Sequence, residues 1–179
     1  MTLNTKILGI DPGSIFTGFS LIELNESKEI VRVEAWSLNI PKLFFYENQL
    51  EDSHTSRFAR FIALRRYFKA LLDSEKPQQV VSESPFYNPS RPGSYGVLKE
   101  LTMTLELTLY DHNSQMAISY ISPSEVKNAV NAKGGAGKDV VLSTIKQIDE
   151  LKIVPFDLLS EHAVDATAVA YSFVLGLRK

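Results

Sequence analysis

The sequence predicts an α/β fold built on a five-stranded mixed sheet with helices on both faces. Three observations lead there. Three apolar runs within the first 36 residues are separated only by short polar or Gly-containing turns. A long stretch with apolar residues three and four apart follows residue 56, and beyond it short apolar runs alternate with helical stretches.

Residues 6–11 (KILGID) form an apolar run closed by Pro12-Gly13, which reads as a buried strand ending in a tight turn. Further strands are predicted over residues 17–23 and 30–36, making an antiparallel meander with the first. Residues 41–55 mix Phe44, Phe45 and Tyr46 with acids and carry no period, so a loop or irregular insertion is expected. Residues 56–74 repeat Phe58, Phe61, Ile62, Leu64, Phe68, Leu71 and Leu72 at helical spacing, and Pro77 is placed to stop that helix. Val80 and Val81 start a strand that ends at Glu83.

Residues 84–96 hold Pro85, Pro89, Pro92, Gly93 and Gly96, so a loop is expected before a helix running to about residue 110. Residues 116–121 form another strand, and Ser122 is a candidate cap for a short helix over 123–130. A Gly-rich turn at 133–137 precedes a helix over 138–151, and Ser160 is a candidate cap for a last helix over 162–177. This order of elements fits a ribonuclease-H-like fold.

The chain has 179 residues, 19 Lys and Arg against 21 Asp and Glu, 44% hydrophobic residues and no cysteine, the composition of one globular domain over residues 1–179. A disulfide scaffold and a zinc–cysteine site are excluded. No apolar run approaches the ~20 residues of a membrane span and no leader pattern opens the chain, so no membrane association and a cytoplasmic location are expected. A pI near 5.9 argues against a generic basic nucleic-acid coat. It leaves room for a DNA enzyme whose acidic site is neutralised by metal.

Three acids stand where burial is costly. Asp11 and Glu83 end apolar strands, and Asp165 sits inside the run Ala163-Val164-Asp165-Ala166-Thr167-Ala168. Each alone has an ordinary explanation: a turn residue, a solvated strand end, a polar helix face. Together they describe two neighbouring strand ends and the first turns of a helix that can meet at one point. A buried carboxylate must be protonated, paired or bound to a cation. His162, three residues before Asp165, projects from the same helix face. Hard oxygen donors with one imidazole favour Mg²⁺ or Mn²⁺, and two ions at such a site support in-line phosphodiester hydrolysis.

The run Ile7-Leu8-Gly9-Ile10-Asp11-Pro12-Gly13-Ser14 followed by Thr17-Gly18 resembles the first strand and turn of RuvC-type Holliday-junction resolvases. The stretch Ser122-Pro123-Ser124-Glu125-Val126-Lys127, with Gly134, Ala136 and Lys138 after it, is similar to the family's segment of a proline, a Val-Lys pair and a Gly-containing turn. The run from His162 to Ala170 resembles its C-terminal metal-binding helix. The resemblance implies Asp11, Glu83, His162 and Asp165 as catalytic metal ligands for two Mg²⁺ or Mn²⁺ ions. It implies Lys127 and Lys138 as catalytic cations near the scissile phosphate, and Phe86 as the aromatic that stacks at the junction crossover, with Tyr87 beside it.

Further DNA contacts are expected from Arg91 and Lys133, with Lys99 and Lys146 as additional candidates, while Arg65 and Arg66 are expected to face water. The implied activity is metal-dependent resolution of four-way DNA junctions by paired symmetric nicks. The alternative is a branched-DNA or RNA-processing nuclease of the same fold, as in the YqgF group. A homodimer and a branch-migration motor are the implied protein partners. The acidic balance, the insertion at 41–55 and the bulky helix beginning Val97-Leu98 depart from the usual family pattern. They fit a phage or organellar member, whose compartment would be the host cytoplasm or the organelle.

Overall fold

Strands whose side chains alternate between two buried faces need apolar residues at nearly every position, and the central strands have them. The computed structural model describes residues 4–43, 45–90, 92–133 and 137–178, with residue 138 described by its backbone alone. β1 (Thr5–Asp11) pairs antiparallel with β2 (Phe16–Leu24), which pairs antiparallel with β3 (Ile30–Asn39). On its other side β1 runs parallel to β4 (Gln79–Glu83), and β4 parallel to β5 (Ile118–Ile121). The resulting order is β3-β2-β1-β4-β5, the mixed five-stranded sheet expected from the sequence.

One face is covered by α2 (Ser56–Glu75) and α3 (Pro92–His112), a short α1 (Gln49–Ser53) preceding them in the chain. Leu8, Ile10, Phe19, Leu21 and Val80 pack there against Leu64, Phe68, Leu72, Leu101 and Leu105. The other face is covered by α4 (Pro123–Ala129), α5 (Lys138–Ile145) and α6 (Glu161–Leu177). There Ile7, Ile22 and Val81 meet Val126, Val130, Ile145, Val164, Ala168 and Val174. Burying a side chain of this size contributes about 1.5–3 kcal/mol, so the two layers together hold the sheet.

The helix ends follow local chemistry. Thr55 caps α2 by accepting from Phe58 N at 3.1 Å, and Ser160 caps α6 by accepting from Ala163 N at 3.3 Å. Ser122 and Glu125 make a reciprocal capping box at α4, the Ser122 amide donating to Glu125 Oε2 at 2.9 Å. At the end of α2, Lys76 adopts the left-handed conformation and Pro77 follows it.

Three expected boundaries move. α3 starts at Pro92 rather than beyond Gly96, because proline suits the first helical turn, where its missing N–H would have no intrahelical partner. α5 ends at Ile145, followed by tight turns and a 3₁₀ helix at Asp149–Leu151, instead of continuing to residue 151. Ile145 and Leu151 are both buried in the same core layer, whereas six residues of continuous helix would turn their directions about 120° apart. The segment 41–55 is not wholly irregular, since it contains α1 and the end of a 3₁₀ turn at Ile40–Lys42.

α6 crosses β1 and β2 at unusually short range. A Cβ on Gly9 would lie 2.6 Å from the Ala166 carbonyl oxygen and 2.7 Å from Ala170 Cβ. A Cβ on Gly18 would lie 1.9 Å from the His162 carbonyl oxygen. Gly18→Ala is therefore expected to push the first turn of α6 off the sheet and to destabilise the protein by at least about 1–3 kcal/mol, measured as a shift in the urea unfolding midpoint.

Candidate active site

Sheet geometry brings the first two acids together. In β1, Ile7 and Gly9 face α6 while Leu8 and Ile10 face α2 and α3, so Asp11, two residues after Gly9, lies on the α6 face. In β4, Val81 faces α6, and Glu83 follows two residues later. β1 and β4 run parallel in a register that pairs Ile10 with Ser82, so Asp11 and Glu83 end adjacent strands at the same edge of the sheet. This is where parallel α/β sheets characteristically place their reactive groups.

α6 supplies the next two. Its first turn lies against Gly18, and His162 Nδ1 is 2.8 Å from Asp11 Oδ2, close enough for an Nδ1–H to donate to the carboxylate. His162 Nε2 lies 3.8 Å from Glu161 Oε1. The imidazole is stacked on Phe16, with ring centroids 5.8 Å apart and planes 8° from parallel. Both members of the Asp11–His162 pair are largely shielded, with side-chain exposures of 15% and 26%. Asp165 sits one helical step on from His162 and is half-buried.

All four side chains line one cleft of about 690 Å³. Lys127 reaches the same cleft from α4, together with Pro123 and Val126 of the matching segment. Phe86 and Asn88 close it from the loop after β4, and Ser94, Val97 and Leu98 from the start of α3. Phe86 is 48% exposed although aromatic, so one side of the ring is available at the mouth of the cleft. Tyr87 packs edge to face against Tyr95, centroids 6.1 Å apart, which ties the loop to α3.

The structure separates the remaining sequence candidates. Lys133 is exposed beyond the end of α4. Lys146 is turned to an ion pair with Asp157. Lys99 is exposed on α3, and Arg65 and Arg66 are engaged by Asp111 and Glu47 while remaining about half exposed. Arg91, Gly134 and Ala136 lie outside the described residues, as does the side chain of Lys138, whose backbone opens α5. Phe16 and Tyr95 escape a reading by composition. Phe16 precedes the clear apolar run of β2, and only the strand parity shared with Gly18 places it on the α6 face.

A family model described as crossover junction endodeoxyribonuclease RuvC matches residues 7–173. The chain belongs to the RuvC family. A RuvC relative from Campylobacter jejuni is 30% identical, the match covering 98% of each chain. One from Dictyoglomus thermophilum is 27% identical over 94% of this chain and 95% of the relative. The solved structure of Thermus thermophilus RuvC in complex with a Holliday-junction substrate superposes with a TM-score of 0.65 at 20% identity, covering 97% of this chain and 95% of that one. The RuvC fold is thus shared along nearly the whole chain.

RuvC enzymes are metal-dependent nucleases, and the donor set here fits a divalent cation. Three carboxylates and an imidazole surround one cleft, and the carboxylates' mutual repulsion calls for positive charge between them. Among the described residues, no three His, Cys, Asp or Glu side chains stand close enough together to hold a metal ion as they are placed. One Asp11 oxygen is held by His162. No helix among the described residues is long and apolar enough to cross a membrane.

Proposed function

We propose that this chain is a homodimeric structure-selective endonuclease that resolves four-way DNA junctions by paired symmetric nicks. The observation that carries this is the gathering of Asp11, Glu83, His162 and Asp165 with Lys127 and Phe86 around a single cleft in a RuvC-family chain. The complex of the Thermus thermophilus relative with a Holliday junction supports the substrate class.

In this reading Asp11, Glu83, His162 and Asp165 would hold two Mg²⁺ or Mn²⁺ ions. Bound there, such ions supply an activated water and stabilise the leaving oxygen of an in-line phosphodiester attack, so no nucleophilic side chain is required. The protein's own groups then orient and neutralise. His162 steadies the Asp11 carboxylate through the 2.8 Å contact. Lys127, which lines the cleft, would place positive charge where the phosphorane gathers negative charge, and the family resemblance implies the same role for Lys138. Phe86 offers a ring to an unpaired base at the crossover, a contact worth about 1–3 kcal/mol whatever the base.

Two such sites must act in concert. α3 carries Met103, Leu107 and Tyr110 at 54%, 55% and 61% exposure, an apolar stripe spaced four and three residues apart on the face turned from the sheet. A stripe of this kind suits a two-fold contact with a second copy, and a four-way junction has matching symmetry.

Asp11→Asn removes a charge and almost no volume. It is expected to lower cleavage at least about a hundredfold while leaving the fold and junction binding intact. The test is a labelled mobile four-way junction beside a linear duplex and an RNA hairpin, each with Mg²⁺, Mn²⁺ or EDTA. Symmetric metal-dependent nicks confined to the junction support the proposal, and preferential cutting of the RNA hairpin overturns it. Phe86→Ala is expected to lower junction cleavage about tenfold or more with Mn²⁺ binding unchanged, read by calorimetry and gel assay on the same preparations. Leu107→Glu is expected to convert dimer to folded monomer by light scattering and to abolish paired nicking.

A further inference from the structure

Phe16 is an aromatic side chain that the core does not use. It is 42% exposed, yet its backbone is held closely. A Cβ on Gly13 would lie 2.1 Å from the Phe16 carbonyl oxygen, so the turn closes this tightly only with glycine there. Thr17 Oγ1 donates to the Gly13 carbonyl at 2.7 Å, and the Ile40 amide donates to the Ile15 carbonyl at 2.9 Å, fixing the turn from both sides. The ring is thereby carried by a rigid mount, and it lies flat against His162, 8° from parallel.

We propose that Phe16 is a positioning residue for His162, setting the plane of the imidazole within the metal site. This rests on the reading of His162 as a ligand given above. The contact from His162 Nδ1 to Asp11 Oδ2 fixes one atom of the ring at 2.8 Å. That contact bears on the outer torsion of the histidine, whose own well is broad. A parallel ring bears on the same torsion from the ring's face, since turning the imidazole out of plane would break the stack. The residues beside His162 on the inner face of α6, Ala163 and Ala166, are too small to do the same. With the plane held, the second nitrogen stays on the side of Glu161 Oε1, at 3.8 Å. The exposed side of Phe16 invites a competing reading as a platform for a nucleobase, which the same experiment distinguishes.

Phe16→Leu keeps apolar bulk without an aromatic face, and Phe16→Tyr keeps the face. Mn²⁺ binding to each protein is measured by electron paramagnetic resonance without DNA, with junction binding in EDTA, thermal melting and the metal dependence of cleavage alongside. Phe16→Leu is expected to weaken Mn²⁺ binding by roughly two- to tenfold and to raise the metal concentration for half-maximal cleavage in parallel. Melting and junction binding should stay unchanged, and Phe16→Tyr should restore wild-type values. Wild-type Mn²⁺ binding by Phe16→Leu overturns the proposal. So does loss of junction binding in EDTA without loss of Mn²⁺ binding, which makes Phe16 a DNA contact. His162→Ala run in parallel separates the two levels. If it binds Mn²⁺ normally, the metal-site reading falls and this proposal with it. If it binds weakly while Phe16→Leu does not, only the role of Phe16 falls.

Discussion

The close passage of α6 over β1 and β2 is the constraint on which the rest of the structure depends. Helices usually ride on a sheet with side chains between the two backbones, but here Gly9 and Gly18 leave room only for backbone against backbone. Ala166 and Ala170 on the helix match them, and Ser20, paired with Gly9 across the strands, keeps the same face small. The seating brings the first turn of α6 to the end of β1, and the 2.8 Å contact between His162 and Asp11 follows from it. A bulkier residue at either glycine would lift the helix by more than a hydrogen bond can span.

The chemistry of the cleft follows from a second constraint, the parallel pairing of β1 with β4. Parallel neighbours in this register present their ends side by side on one face, so Asp11 and Glu83 are set close by the backbone rather than by attraction. Like charges held this way raise the free energy of the empty site and lower it when a cation is bound. The same logic accounts for the acids standing in apolar runs. Their environment is costly for the fold, and its compensation lies in what the cleft binds.

Much of this was legible in the sequence. Runs such as Ile7 to Ile10 can only be buried strands, and acids ending those runs announce a site before any topology is known. Ser122 and Ser160 were recognisable as caps from the residues after them, and both caps are present. Boundaries were less readable where two local tendencies compete. Pro92, Gly93 and Gly96 suggest a loop in isolation, yet a proline start and the apolar residues beyond carry α3 back to Pro92. Residues 138–151 have helical composition throughout, and only the need to bury both Ile145 and Leu151 ends α5 early. Phe16 could not be assigned at all, because its partner lies across the fold on α6. Lys146 stands out by charge alone, and its pairing with Asp157 is made by the turns after α5, which no local pattern shows.

Charge is distributed to the same end. The chain is slightly acidic overall, yet much of its positive charge on α2 is consumed within the fold: Arg57 by Glu100, Arg65 by Asp111, Arg66 by Glu47 and Lys69 by Asp73. Exposed pairs like these contribute little to stability, about 0–1 kcal/mol each, so their consequence is electrostatic rather than structural. They offset part of the positive charge that α2 carries. On the opposite face Lys127 lies in the cleft with the carboxylates, and Lys133 is exposed just beyond the end of α4. At net charge −2 the chain has no general excess of positive charge with which to meet a polyanion, so local placement of its lysines matters more than their number.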